Sequence, residues 1–235
     1  MEPHRWRSKE MELTRQRPTW LRVSVPRSLL MDTARPSFYQ SYVKRPLDFA
    51  MATPLLLMLT IPMIVIAMAI RLTSPGPAIF RQRRIGKDGR PFTVLKFRTM
   101  IAVPGSGFQL FVCADGSARH KVPDDPRVTP LGRILRRTSL DELPQLINVI
   151  RGEMSLVGPR PELSEIVATY DPWQHERHSV RPGMTGSWQV AGRSNRPMHE
   201  HTELDIDYVR RLSFLLDMQI LLKTVGVVVR GSGVY

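Results

Sequence analysis

The chain has 235 residues, 42% of them hydrophobic, which is enough for one domain with a buried core. Its formal net charge of +13 points to polyanionic partners, namely nucleic acid, an anionic membrane surface or phosphorylated substrates. The single cysteine, Cys113, excludes an internal disulfide and therefore a disulfide-stapled scaffold.

Residues 1–43 form a basic N-terminal extension that is rich in Arg and Pro. This composition predicts little regular structure, and Trp6 and Trp20 suit a position at the lipid interface. A nucleic-acid-binding arm is the alternative, although no recognition fold follows it.

Residues 49–70 contain no charged side chain. As a straight helix they would extend about 33 Å, which is enough to cross a hydrocarbon core of about 30 Å. The segment starts too far into the chain, and is too long, for a cleavable signal peptide. It is therefore predicted to lie in a membrane.

The sequence leaves two alternatives for how this apolar segment lies in the membrane. Lys44 and Arg45 precede it and Arg71 follows it, so both ends are basic. Basic flanks prefer the cytoplasmic side, which favours both ends on one face. Pro62 favours a kink near the middle, so a re-entrant helix that enters, bends and returns is one alternative. An ordinary crossing helix that tolerates a proline is the other.

Residues 78–100 predict a strand, a turn at Lys87-Asp88-Gly89, and a second strand. Period-two alternation places Lys96 and Arg98 on one face of that strand, which is either a phosphate-facing surface or a solvated strand edge. Residues 101–123 predict a variable loop or a small hairpin.

Further along, Leu131, Ile134 and Leu135 form an apolar stripe that predicts an amphipathic helix. Residues 146–150 predict a second helix that ends near Gly152. The stretch VGPRPE at 157–162 is too rich in proline for regular structure. Residues 203–229 look helical and are expected to pack on the protein or the membrane surface rather than to span.

An acidic pair, Asp141-Glu142, lies between the two predicted helices. Ser139 and Glu142 fit a capping box, but Pro144 fits better if Asp141 is the N-cap. Both registers put the carboxylates at a helix N-terminus, where the dipole favours their ionised forms. Ionised carboxylates are good nucleophiles and good Mg²⁺ ligands, so a simple helix cap and an active site remain the two alternatives.

The surrounding cations favour the active site. Arg133, Arg136 and Arg137 precede the acidic pair, and Arg160 follows on a loop between two prolines. Arginine can grip a phosphate with two parallel hydrogen bonds. Carboxylates and arginines beside a membrane segment suit phosphoryl transfer.

Together, these residues resemble the monotopic phosphoglycosyl transferases, bacterial sugar transferases that start polysaccharide assembly on a polyprenyl phosphate. The resemblance covers residues 44–235 and is carried by the following stretches: KRPLDF at 44–49, SPGPAIFRQRRIGKDGRPF at 74–92, KFRTM at 96–100, DPRVTPLGRILRRTSLDELPQLINVIRGEMSLVGPRPE at 125–162 and RPGMTGSWQVAGR at 181–193. The C-terminal part is similar to the branch that transfers a hexose phosphate for exopolysaccharide or capsule synthesis.

The resemblance implies an α/β fold of the helix-rich α+β kind in a monotopic membrane protein. Its parts would be the basic extension 1–43, a re-entrant membrane helix at 44–71, and a catalytic domain at 72–235 with interfacial amphipathic helices. The family's helix break is usually Ser-Pro, whereas this chain has Ile61-Pro62, with the Thr60 hydroxyl close by.

The resemblance also implies roles for individual residues. Asp141 matches the nucleophile that attacks the sugar-bearing phosphorus of a UDP-sugar and releases UMP. Glu142 matches its partner, which helps to hold the cofactor Mg²⁺ together with Asp141. The expected substrate-binding residues are Pro159, Arg160, Pro161, Lys96, Arg98 and Arg137.

The implied substrates are a UDP-sugar and a polyprenyl phosphate, with anionic membrane lipids as neighbours and no nucleic acid. The implied location is the bacterial cytoplasmic membrane, with the active site on its cytosolic face. The sequence leaves open which sugar is transferred and whether the chain forms a homo-oligomer. An alternative of another class is a basic membrane-tethered adaptor that binds anionic lipid or nucleic acid, in which Asp141 and Glu142 only cap a helix.

Overall fold

The computed structural model describes residues 36–101, 111–112, 118–119, 125–191 and 202–230. Over these ranges the chain is helix-rich and contains three two-stranded sheets. Residues 1–35 of the predicted basic extension, with Trp6 and Trp20, lie outside the described residues, and so does Cys113. The predicted division into three segments is not tested by this architecture.

Helix α1 (Lys44–Thr73) contains 30 residues and follows a π-helical turn at Tyr39–Val43. Tyr39–Thr73 is long and apolar enough to cross a membrane, by length and composition. Pro62 lies inside α1 and does not end it, so the re-entrant path stays a prediction. The Thr60 hydroxyl donates to the Leu56 carbonyl oxygen at 2.8 Å, a bond to the preceding helical turn.

Strands β1 (Ile79–Ile85) and β2 (Pro91–Phe97) form the predicted antiparallel hairpin. Ile79 lies opposite Phe97 at the open end. The turn between the strands contains Asp88 and Gly89, both with positive φ, which is the backbone conformation that such a tight connection needs.

Strands β3 (Phe111–Val112) and β4 (Ala118–Arg119) pair antiparallel, as expected for a small hairpin. Helix α2 (Pro130–Arg137) begins after Thr129, whose hydroxyl accepts from the Gly132 N–H at 2.9 Å. The predicted apolar stripe of α2 is wrong at Ile134, which is 59% exposed, whereas Leu135 is buried. Like other surface helices, α2 buries one side of its surface, and Ile134 lies outside that side.

Helix α3 (Gln145–Arg151) ends at Gly152, as predicted, and is preceded by a short 3₁₀ turn at Leu140–Glu142. Both predicted N-caps for this helix are wrong, because Pro144 holds the N-cap position. Ser139 adopts a left-handed conformation with φ of 57° and makes no side-chain cap bond, so the capping box does not form. Asp141 and Glu142 therefore lie in a separate 3₁₀ turn, with two residues between that turn and α3.

Strands β5 (Ser155–Val157) and β6 (Gly183–Thr185) pair in parallel. The chain between them contains α4 (Ser164–Val167) and a 3₁₀ segment at Pro172–Ser179. Residues 158–161 have no helix or strand, as predicted for VGPRPE, but the prediction is wrong at Val157, which ends β5, and Glu162 forms a single antiparallel bridge with Ile85. This loop crosses β6 closely, since a Cβ on Gly183 would collide with the Gly158 backbone nitrogen.

The C-terminal part contains α5 (Ser187–Val190), α6 (Glu203–Arg211) and α7 (Phe214–Arg230). The predicted helix at 203–229 is thus two helices. The chain leaves helical geometry at Leu212, whose ψ is 117°. Leu212 is buried there and Asp217 lies just beyond it, so the break turns α7 back onto the core.

The core has two apolar clusters, and α1 contributes to both. The larger contains Ala52 from α1 together with Leu146 and Val149 from α3 and Tyr208 from α6. The smaller contains Ile70 of α1, Phe97 and Leu135.

Buried polar contacts fix the first turns of α1 to the rest of the domain. Lys44 Nζ lies 2.6 Å from Asp217 Oδ2 of α7. Arg45 donates to the last carbonyls of α3, and Asp48 accepts from the Leu156 N–H at 3.1 Å.

The far end of α1 is fixed by Arg98, which is buried and directly follows β2. Its Nη2 donates to the Ser74 carbonyl oxygen and to Ser74 Oγ, both at 2.8 Å, and to the Ile70 carbonyl oxygen at 3.4 Å. Both ends of the apolar helix are therefore bonded to the same folded domain.

Candidate active site

Two cations meet on one oxygen of Glu142. Lys96 Nζ, from β2, and Arg160 Nη2, from the loop after β5, each lie 2.8 Å from Glu142 Oε1. Only 14% of the Glu142 side chain is exposed. The carboxylate thus faces the predicted arginine loop instead of folding back to cap its own turn.

Asp141 has different surroundings from its neighbour. It is half-buried, and within the described part of the chain its carboxylate makes no hydrogen bond or ion pair. A carboxylate that is partly open and not already bonded can approach an incoming phosphorus atom.

Burial and charge separate the two carboxyl groups electrostatically. Burial raises the pKa of Asp141, and the adjacent Glu142 charge raises it further, while Lys96, Arg160 and Arg136 offset part of the rise. Burial also acts to raise the pKa of Glu142, but Arg160 and Lys96 outweigh it and hold that pKa well below its usual value. The prediction that both carboxyl groups favour the ionised form agrees with the lowered pKa of Glu142, which Arg160 and Lys96 cause, and disagrees with the raised pKa of Asp141, which burial causes first.

Asn148 of α3 fixes the distance between Lys96 and the acidic turn. Its fully buried side-chain oxygen accepts from the Leu95 N–H at 3.1 Å, and its nitrogen donates to the Thr93 carbonyl oxygen at 2.7 Å. The amide acts as a strand partner on the free edge of β2. Lys96 directly follows Leu95 in β2, and Glu142 lies shortly before α3. The bond between Leu95 and Asn148 therefore brings the Lys96 ammonium next to the Glu142 carboxylate.

The loop that carries Arg160 is held through the carbonyls of its two prolines. The Pro159 carbonyl oxygen accepts from the Gly183 N–H at 2.9 Å, and the Pro161 carbonyl oxygen accepts from Arg84 Nη1 at 3.4 Å. A small cleft opens beside this loop, lined in part by Gly86 and His178.

The other two predicted phosphate-facing cations lie elsewhere. Arg98 is buried and bonds the end of α1, which fits a structural role. Arg137 is exposed at the end of α2, so its substrate-binding role stays a prediction. Arg136 is the α2 cation whose charge acts on Asp141, and its Nε donates to Thr99 Oγ1 at 2.9 Å.

The donor set suits Mg²⁺ only in part. Among the described residues, no group of three or more His, Cys, Asp or Glu side chains lies together. Mg²⁺ commonly uses one or two carboxylates and completes its shell with water and substrate phosphates. Asp141 and the second oxygen of Glu142 fit that pattern, because the two cations contact Oε1 alone.

Sequence reasoning did not name Asn148 as a site residue, and it named Arg84 and Arg136 at most as members of basic runs. The sequence carries no signal for Asn148, since an asparagine inside a helix is ordinarily a surface residue. Arg84 and Arg136 each belong to a basic run, and only the fold shows which member of the run turns inward.

Comparison with known proteins agrees with this geometry. The family model described as bacterial sugar transferase matches residues 39–231. The chain belongs to this family of enzymes, as the sequence resemblance predicted. Membership also disfavours the alternative of a non-enzymatic adaptor.

Several curated relatives are similar over most of the chain. Exopolysaccharide production protein ExoY of Sinorhizobium fredii is 40% identical over 199 residues, covering 82% of this chain and 88% of that protein. The UDP-glucose:undecaprenyl-phosphate glucose-1-phosphate transferase of Escherichia coli is 41% identical over 194 residues, covering 78% and 39%. The UDP-galactose-lipid carrier transferase of Erwinia amylovora is 39% identical over 200 residues, covering 83% and 42%. The chain thus spans about two fifths of the length of the last two relatives.

Proposed function

We propose that this protein transfers a sugar-1-phosphate from a UDP-sugar to a polyprenyl phosphate and releases UMP. The observation that carries the proposal is the open Asp141 carboxylate beside a Glu142 that Lys96 and Arg160 hold in place. The relatives named as undecaprenyl-phosphate or lipid-carrier transferases support the same substrate classes. The reaction would be an early membrane step in exopolysaccharide or capsule assembly, as the relatives' names suggest.

The first step is displacement at phosphorus. An Asp141 oxygen attacks the sugar-bearing phosphorus of the UDP-sugar, and the bond from that phosphorus to the bridging oxygen breaks. UMP leaves with that oxygen and its electron pair, and the sugar phosphate is held on Asp141 as an acyl phosphate.

The second step returns the enzyme to its starting form. A phosphate oxygen of the polyprenyl phosphate attacks the same phosphorus, and the bond between phosphorus and Asp141 breaks. The product is a polyprenyl diphosphate sugar, and Asp141 is again a free carboxylate. Asp141 thus alternates between nucleophile and leaving group.

The cations bind and orient the diphosphate during both steps. Arg160 and Lys96 supply positive charge beside Asp141. Lys96 lies on β2, which Asn148 of α3 holds, and Arg160 lies on the loop after β5 and bonds Glu142. Such fixed charges stabilise a phosphoryl transition state because they need no rearrangement as charge develops. Mg²⁺ bound by Asp141, Glu142 and the diphosphate would neutralise further negative charge.

The contacts at the two ends of α1 support a re-entrant path. Arg45, in the first turn of α1, donates to α3, and Arg98 donates to the other end of α1. Asn148 joins α3 to β2, the strand that Arg98 directly follows. Polar anchors of one folded domain at both ends of an apolar helix are compatible with both ends lying on one membrane face. A cytosolic face would give the site access to a soluble UDP-sugar and to the phosphate head of a lipid-borne acceptor.

A panel of UDP-sugars tests this function. The full chain in nanodiscs is mixed with Mg²⁺, one UDP-sugar and polyprenyl phosphate, and UMP release is measured. With at least one UDP-hexose, we expect UMP release beyond one equivalent of enzyme to depend on the acceptor, and we expect no UMP release from Asp141→Asn. UMP release by Asp141→Asn at the wild-type rate would contradict the proposed role of Asp141.

A further inference from the structure

A buried ion pair lies directly behind the Arg160 loop. The side chains of Arg177, in the 3₁₀ segment Pro172–Ser179, and Asp205, in α6, are each 1% exposed, and Arg177 Nη2 lies 2.5 Å from Asp205 Oδ2. Burying two charges costs free energy that their attraction often only balances, so a gain in stability is a weak explanation for the pair.

Arg177 also reaches the active-site loop. The same Nη2 donates to the Arg160 carbonyl oxygen at 2.7 Å, and Nη1 donates to the Tyr170 hydroxyl at 2.5 Å. The guanidinium is planar and presents its donors in a fixed fork, so contacts with Asp205 and Tyr170 set the direction in which it meets Arg160.

The loop depends on such outside donors. Pro159 and Pro161 have no N–H group, so at these positions the loop cannot donate hydrogen bonds of its own. Its three consecutive carbonyls instead accept from three different parts of the fold, namely Gly183, Arg177 and Arg84. The contact at Arg160 is the shortest of the three and comes from a charged group, which makes it the strongest.

We infer that Arg177 is a positioning residue for the transfer reaction, and that Asp205 orients it. By holding the Arg160 carbonyl, Arg177 fixes the backbone from which the Arg160 side chain reaches Glu142. The inference rests on the proposed function, since it assigns Arg160 a place in that site. The Arg177 guanidinium contacts Tyr170, Asp205 and the Arg160 backbone, so it acts on the acidic pair through Arg160.

The chain offers a matched control for this pair. Glu176 and Arg210 join the same two elements through two hydrogen bonds of 2.9 and 2.7 Å, and the Arg210 side chain of this pair is 67% exposed. Glu176→Gln therefore weakens a link between the 3₁₀ segment and α6 without affecting the Arg160 carbonyl.

The first measurement needs no substrate. Hydrogen–deuterium exchange is followed on the full chain in nanodiscs for wild type, Arg177→Lys and Glu176→Gln. Lysine keeps the charge beside Asp205 but lacks the fork that bridges Asp205, Tyr170 and Arg160. We expect faster exchange of the Arg160 and Glu162 amides in Arg177→Lys only. Unchanged exchange at these amides in Arg177→Lys would overturn the inference.

The second measurement tests whether the effect passes through Arg160. Single-turnover UMP release is compared for Arg177→Lys, Arg160→Ala and the double variant. We expect Arg177→Lys to lower the rate about 10- to 100-fold, since a misplacement of about 1 Å in positioning groups can cost that much. In the Arg160→Ala background the same substitution should lower the rate less than threefold, because the losses caused by residues in one network do not add.

The outcomes separate this inference from the proposed function. If Arg177→Lys lowers the rate equally in the wild-type and Arg160→Ala backgrounds, the positioning role is overturned, even though the wild-type enzyme is active. A wild type that releases no UMP with any UDP-sugar would overturn the proposed function, and the exchange measurement would still decide whether Arg177 holds the loop.

Discussion

Asp141 and Glu142 are adjacent in the chain, yet their carboxylates have opposite surroundings. Glu142 is bonded by two cations at 2.8 Å each, whereas Asp141 is half-buried with no hydrogen bond or ion pair among the described residues. Burial and the Glu142 charge raise the pKa of Asp141, while Arg160 and Lys96 lower that of Glu142. Asp141 is thus the more basic group, and Glu142 stays ionised to lower pH, which fits a nucleophile beside an anionic partner.

This difference predicts the pH dependence of the reaction. Asp141 must be ionised to attack, so its raised pKa places the acid limb of kcat/KM at a higher pH than an ordinary aspartate would. Burial lowers the pKa of Lys96, so loss of its charge brings the alkaline limb below the range of an ordinary lysine.

Removing Lys96 tests both limbs. Lys96→Met removes a charge that lowers the pKa of Asp141, so the acid limb should move to still higher pH and the alkaline limb should lose its Lys96 component. Lys87→Met, in the exposed turn of the same hairpin, is the control and should leave the profile unchanged. An acid limb that does not move in Lys96→Met would contradict the proposed electrostatics.

Magnesium should bind together with the substrate rather than before it. Two carboxylates, one of them already neutralised by Lys96 and Arg160, leave too few ligands for a tight site without phosphates. We expect calorimetry to detect strong Mg²⁺ binding only when UDP-sugar is present, and EDTA to stop UMP release. Tight Mg²⁺ binding to the protein alone, unchanged in Glu142→Gln, would place the metal elsewhere.

Removing one partner of the buried pair formed by Lys44 and Asp217 should destabilise the fold strongly, whatever the net contribution of the intact pair. Their side chains are only 9% and 3% exposed, and Asp217 also accepts from the hydroxyls of Tyr39 and Tyr208. Asp217→Asn leaves a buried ammonium unpaired, which typically costs about 3–5 kcal/mol.

Thermal unfolding of the full chain in nanodiscs measures this cost. The expected fall in Tm is about 2–4 °C for each kcal/mol. Asp207→Asn is the control, because Asp207 and Arg211 pair on the surface with side chains 59% and 69% exposed, and its Tm should match wild type. Equal Tm values for the two variants would show that the buried pair is not important for stability.

The sequence predicted the local elements well and the long-range contacts poorly. The apolar helix, the hairpin at Lys87–Gly89 and the end of α3 at Gly152 follow from patterns within a few residues. The capping box at Ser139 failed because Glu142 is bonded by cations distant in sequence, which a local pattern cannot show.

The candidate site shows the same division. Its acidic pair, Lys96 and Arg160 could be named from residue type and resemblance. Arg177 and Asp205 could not, because they are 28 residues apart in sequence and become partners only when α6 packs on the 3₁₀ segment. Ile134 was assigned to the apolar stripe of α2 by its spacing, but it lies outside the side of α2 that packs on the core.

Cysteine labelling tests the path of α1. Single cysteines are introduced as Ser41→Cys and Pro75→Cys, both at exposed positions, in a Cys113→Ser background. A re-entrant helix predicts that a membrane-impermeant thiol reagent labels both cysteines from the cytosolic side only. Labelling of either cysteine from the opposite side would establish a crossing helix.

Trapping the covalent intermediate tests the central claim most directly. The full chain is rapidly mixed with Mg²⁺ and a UDP-sugar in the absence of polyprenyl phosphate, and the quenched protein is analysed by mass spectrometry. We predict a burst of UMP equal to the amount of enzyme, and a sugar-phosphate mass added at Asp141 that disappears when acceptor is supplied. UMP release that requires the acceptor, with no adduct on Asp141 at any time, would contradict the two-step mechanism.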